Sequence, residues 1–203
     1  MPNPPDVENL GCQRLLAPTR LWSRQEVMSR PSPVPKSSGV YAWYFRTSLP
    51  EIPIDACVRS GDLNLLYVGI SPYAPPQNGK LPSKQNLFKR IQYHYRGNAA
   101  GSTLRLTLGC LLSKQLDIEL RRVGSGNRLT FGSGEVRLSE WMRENAYVVW
   151  LECAEPWTLE EQLISTLCLP LNLRHNSRSP FYAILSGLRS TARDRARELP
   201  VLT

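Results

Sequence analysis

With 203 residues, 41% of them hydrophobic, and a formal net charge of +8, the chain has the size of one domain with short decorations. Such a length buries about 70% of its extended surface on folding. It has no run of about 18 uncharged apolar residues to cross a bilayer, and Met1-Pro2-Asn3-Pro4-Pro5-Asp6 lacks the cationic lead-in and apolar stretch of a secretory signal, so a soluble, cytoplasmic protein is expected.

In chain order, Ser23 followed by Glu26 is a capping-box pattern that predicts a short helix over 24–29. Of 17 prolines, 13 fall within the first 82 residues, and Arg30-Pro31-Ser32-Pro33-Val34-Pro35-Lys36 reads as an extended linker behind an N-terminal extension, residues 1–36. Gly39 to Phe45 and Leu65 to Ile70 are β-branched and aromatic and predict strands. The segments between them and over 72–84 are rich in turn residues. A helix over 86–96 follows from Leu87, Ile91 and Tyr95 at i, i+4 and i+8, and Ser102 caps another that carries Leu104, Leu108, Leu111 and Leu112.

Ile118–Val123 and Arg128–Phe131, joined by Gly124-Ser125-Gly126-Asn127, predict a hairpin. A phosphate-cradling loop is excluded there, because no Gly-Lys-Ser/Thr follows and no helix opens. Ser139 to Asn145 predicts a short helix, and Tyr147 to Cys153 a third strong strand. Thr158 with Glu161 is a capping box for a helix over 159–168, stopped before Pro170. Ser179-Pro180 predicts the start of a long basic helix reaching about 198. The class is α+β, without βαβ repetition.

Charge and cysteine usage narrow the partners. Residues 84–128 hold nine Lys/Arg against two Asp/Glu, 129–172 hold two against seven, and 173–203 hold six against two. Two basic blocks suggest a surface for a polyanion. Five cysteines without a Cys-x-x-Cys pair suit neither a zinc ribbon nor a closed disulfide framework, and read as reduced, buried small hydrophobes.

Gly39-Val40-Tyr41 and Tyr67-Val68-Gly69, followed by a helix bearing Arg90 and His94 one turn apart, then Glu160 with Leu163-Ile164 three and four residues on, then Asn172, occur in an order that resembles the GIY-YIG nuclease superfamily. The resemblance covers about 39–176. The long gap between the tripeptides is similar to the larger, restriction-endonuclease-like members. It implies a small, mainly antiparallel central sheet flanked by helices. The catalytic domain would span 37–176, with 116–145 as an inserted hairpin region, and a basic C-terminal helix (177–203) would pack on it.

The resemblance implies a metal-dependent DNA endonuclease with a site of Tyr41, Tyr67, Arg90, His94, Glu160 and Asn172. Those residue types suit phosphodiester hydrolysis. One carboxylate, Glu160, with waters and phosphate oxygens suits Mg²⁺ (or Mn²⁺), a hard cation that keeps much of its hydration. Arg90 offers a planar fork to the phosphate. Tyr41 and Tyr67 compete for the role of general base; lowering a phenol's pKa by two units takes about 2.7 kcal/mol, within reach of a metal, Arg90 and His94. Asn172, an uncharged amide, would orient the others. Lys84, Lys89, Arg96, Arg105, Arg121, Arg122, Arg174 and Arg178, with Lys114, Arg189, Arg193 and Arg197, are expected to face DNA. The alternative is a catalytically inactive nucleic-acid-binding module that retains the fold. Nothing in the sequence selects between a monomer and a homodimer.

Overall fold

The computed structural model describes residues 7–46, 49, 51–75 and 83–202; the chain's first six residues, Pro50 and most of the 72–84 loop lie outside them. The elements are α1 (Val7–Leu16), α2 (Arg24–Val27), β1 (Gly39–Arg46), β2 (Arg59–Ser60), β3 (Leu63–Ser71), α3 (Leu87–Arg96), α4 (Thr103–Leu111), α5 (Ser113–Leu116), β4 (Arg121–Val123), β5 (Arg128–Thr130), α6 (Gly134–Asn145), β6 (Ala146–Glu152), α7 (Pro156–Thr166) and α8 (Tyr182–Glu198).

Four strands form an antiparallel sheet in the order β2-β3-β1-β6, and β4 and β5 pair separately as the expected hairpin. This is the α+β architecture that the resemblance implied. β1 is buried on both faces along all but its last residue, which explains its lack of polar alternation. Tyr41, Trp43 and Phe45 face a core built with α3, α4, α6 and α8, whereas Val40, Ala42 and Tyr44 face α7 and the end of α1.

The register between β1 and β3 slips once. Trp43 pairs with Tyr67 and Tyr44 with Leu65, leaving Leu66 as the extra residue of a bulge. Leu66 and Tyr67 consequently point to the same side, and the alternation changes phase. Without that extra residue Tyr67 would face α7, away from Tyr41.

The N-terminal segment is stitched to the sheet. Trp22 exchanges two 2.9 Å backbone hydrogen bonds with Val148 and stacks on Trp150, and the Tyr44 hydroxyl donates to the Leu15 carbonyl. The Ser23/Glu26 capping box forms as expected. The proline-rich segment is docked rather than spanning free space: Val34 is buried, and the Pro35 and Ser37 carbonyls accept the first N–H groups of α3.

Three helix starts differ from expectation. α7 begins with Pro156 at its first position, and no side chain caps it, so Thr158 and Glu161 form no capping box. α6 begins at Gly134 rather than Ser139, and α8 at Tyr182, with the Ser179 hydroxyl accepting from Phe181 N–H just before it. Among the described residues no helix is long and apolar enough to cross a membrane, and Cys57, Cys110, Cys153 and Cys168 are free thiols.

Candidate active site

The site forms where β1, β3, α3 and α7 meet. Asn86 caps α3 by accepting from Lys89 N–H. One turn of that helix then sets Arg90 and His94 on the face above Tyr41. Arg90 Nε donates to the Tyr41 hydroxyl at 3.3 Å, Nη1 to the Gly101 carbonyl at 2.8 Å and Nη2 to the Tyr73 hydroxyl at 3.3 Å. The Tyr41 oxygen lies 2.9 Å from His94 Nε2, and His94 Nδ1 lies 2.7 Å from the Ser102 hydroxyl, which also accepts from Arg105 N–H as the cap of α4. Tyr41, neutral His94 and Ser102 hold three transferable protons joined by two hydrogen bonds, so one end of this chain always keeps a proton with no acceptor inside it.

Gly69 makes room for this arrangement. It pairs directly with Tyr41 across the strands, and a Cβ there would lie 2.6 Å from the Tyr41 hydroxyl oxygen and 2.7 Å from Cζ. The ring is buried and held from both sides, so it cannot yield cheaply. Gly69→Ala is expected to cost about 1–3 kcal/mol in urea unfolding. It should also displace the Tyr41–His94 contact, read as a shift of the His94 ring signals in NMR.

A cleft of about 250 Å³ opens beside Tyr67, bordered by Glu160, Tyr73, Asn172, Arg174 and Arg189 among others. Glu160 borders it, whereas Glu161, the next residue of α7, is exposed. The Tyr67 hydroxyl lies 3.3 Å from that of Thr103. Asn172 binds the backbone: its Oδ1 accepts from Val68 N–H at 2.9 Å and its Nδ2 donates to the Val68 carbonyl at 2.8 Å, pinning β3 between Tyr67 and Gly69.

Burial dominates the electrostatics. It pushes the Tyr41 phenol well above its ordinary value, with Tyr67 adding and Arg90 opposing, and pushes Tyr67 up to about 12. His94 is held well below the ordinary histidine range by burial, then by Arg90 and Arg105. Without a metal, Arg90 pulls both phenols down but burial outweighs it, and the neutral imidazole of His94 adds no positive charge. Burial also raises the Glu160 carboxyl to about 7 against the pull of Arg174 and Arg90.

Not all the expected DNA-facing cations face outward. Arg105 is 0% exposed and bonds Glu135 and the His94 and Tyr95 carbonyls. Arg122 donates to the Ala196 and Leu199 carbonyls and Arg121 to that of Pro200, so this pair ties the hairpin to the C-terminal segment. Arg105 is therefore corrected from a nucleic-acid contact to an internal tie, while Arg121 and Arg122 are half-buried. Lys84, Lys89, Arg96, Arg174 and Arg178 are exposed. Tyr73, Ser102 and Thr103 were missed. Ser102 was visible only as a helix cap, and Tyr73 stands in a loop without periodicity.

A tyrosine–arginine–histidine cluster on a small antiparallel sheet, with a half-buried glutamate bordering the cleft beside Tyr67, has the residue types of a nuclease-type site. A family model described as the GIY-YIG catalytic domain matches residues 39–191, and the chain belongs to the GIY-YIG family. No curated protein and no solved structure matches it.

Proposed function

We propose that the protein is a divalent-metal-dependent DNA endonuclease whose site is Tyr41, Tyr67, Arg90, His94 and Glu160, with Asn172 as a positioning residue. The observation that carries this reading is the hydrogen-bonded chain Arg90–Tyr41–His94–Ser102, which joins a guanidinium fork to an oriented tyrosine oxygen. Arg90 already directs its donors at three neutral oxygens, and a phosphate is a stronger acceptor for the same fork. A phosphate on Arg90 lies next to the Tyr41 oxygen, so Tyr41, once ionised, is the residue that takes a proton from the attacking water. Tyr67 borders the cleft and orients that water.

The donor set fits a hard cation. Among the described residues no three His, Cys, Asp or Glu side chains cluster in metal-binding fashion. Glu160 is one largely buried carboxylate with no ion-pair partner among those residues, which suits an ion that keeps most of its waters. Bound there, Mg²⁺ or Mn²⁺ supplies positive charge to the phosphate oxygens and the neighbouring hydroxyls. The exposed Lys84, Lys89, Arg96, Arg174 and Arg178 are positioned to meet the DNA backbone, which makes binding salt-dependent.

The test is incubation of the purified chain with plasmid, single-stranded and branched DNA in Mg²⁺, Mn²⁺ or EDTA. Metal-dependent nicking is expected, reduced about 10²-fold or more in Tyr41→Phe and less in Tyr67→Phe. Salt-sensitive binding without nicking on every substrate would instead identify an inactive binding module.

A further inference from the structure

Ser186, Arg189 and Arg193 lie three and four residues apart along α8 and border the same cleft as Tyr67 and Glu160, where Arg174 joins them from the turn after Asn172. Three guanidinium groups thus converge on a space whose one bordering carboxylate among the described residues is Glu160. Among the described residues neither Arg189 nor Arg193 forms an ion pair.

Arg189 is the unusual member. A guanidinium has five N–H donors in a fixed fork. The Arg189 Nε is buried without an acceptor, and Nη1 reaches only the Thr107 hydroxyl at 3.5 Å, long for a hydrogen bond. Leaving such a group unpaired is costly, and burial together with Arg193 draws its pKa below the ordinary arginine range. Buried Arg105, by contrast, has acceptors for Nε and both terminal nitrogens in Glu135 and the His94 and Tyr95 carbonyls.

We propose that Arg189 and Arg193, with Arg174 and the Thr107 hydroxyl, form a second phosphate subsite that holds a phosphodiester flanking the scissile one on the same strand. The proposal rests on the nuclease reading and deepens it: the substrate is a strand that offers at least one phosphate beyond the bond cut. A fork free to bind bidentately suits a phosphate.

The test titrates inorganic phosphate into the metal-free full chain, follows the arginine Nε–H NMR signals, and then measures oligonucleotide binding and cleavage across a salt series. The Arg189 signal should shift and saturate. Arg193→Gln should weaken phosphate about tenfold, raise the oligonucleotide KM about tenfold, and reduce the slope of log affinity against log salt by about one. Arg189→Gln should do the same; should it fail to fold, Arg193→Gln alone carries the result.

No saturable Arg189 shift, or a shift with KM unchanged in Arg193→Gln, overturns the subsite while metal-dependent cleavage stands. Saturable phosphate binding by a chain that nicks no DNA supports the anion site and overturns the nuclease reading instead.

Discussion

Glu160→Gln should abolish measurable cleavage, by about 10²-fold or more, while making the protein more stable at pH 8. Glutamine keeps the shape and loses the charge, so a cation in the cleft loses its anionic ligand. The stability gain follows from the carboxyl's raised pKa, about 7 against 4.5 for an unburied glutamate. Between those two values the folded chain holds a proton that the unfolded chain releases. Stability therefore falls as pH rises through that window, and above about pH 7 the charged, desolvated carboxylate costs its full amount. Discounted for partial exposure, that cost is about 2–3 kcal/mol, or roughly 5–10 °C in melting temperature for a chain of this length.

Thermal melts of wild type and Glu160→Gln should coincide near pH 4 and separate above pH 7, the variant melting higher. Adding Mg²⁺ at pH 8 should raise the wild-type melting temperature and leave the variant unmoved. A variant that still cuts DNA at the wild-type rate would remove Glu160 from the metal site. Coincident melts at pH 8 would show that its carboxyl is not perturbed.

Much of this site was readable before any coordinates because its local rules are strict. Asn86 and Ser102 are good caps, Leu87, Ile91 and Tyr95 set the phase of α3, and that phase fixes Arg90 and His94 on one face. Tyr41 and Gly69 were legible only within two separate tripeptides, and their pairing was not. Its cause, the lack of space for a Cβ under the tyrosine ring, is a cross-strand contact that no single segment encodes.

The bulge that turns Tyr67 toward Tyr41 was illegible for the same reason: it exists only between β1 and β3. Local capping rules failed where tertiary contacts took over. Glu161 points to solvent and caps nothing because Pro156 already starts α7. Glu135, in the first turn of α6, is engaged by Arg105, which lies 30 residues earlier. Charge counting failed at Arg105 because composition cannot tell a solvated arginine from one threaded between helices.

That arginine carries the second large effect. Arg105→Met should destabilise the protein by about 3–5 kcal/mol, enough to consume much of a typical domain's stability. Its Nε and Nη2 bind the Glu135 carboxylate at 2.9 and 2.6 Å, Nη2 also binds the Glu135 carbonyl, and Nη1 reaches the carbonyls of His94 and Tyr95. Glu135 in turn accepts from Ala99 and Phe131 N–H groups. Removing the guanidinium strands a largely buried carboxylate and two helix-end carbonyls together, and a buried group left without its partner costs its full desolvation penalty.

Urea unfolding measures the loss, and a double-mutant cycle with Glu135→Gln apportions it: in the Arg105→Met background the glutamine should cost far less than it does alone. Because the same guanidinium grips the carbonyl of His94, partial loosening should appear first as altered His94 ring signals, before global unfolding. An arginine on the DNA-facing surface would give the opposite pattern: stability within about 0.5 kcal/mol of wild type, weaker oligonucleotide binding, and a salt slope reduced by about one.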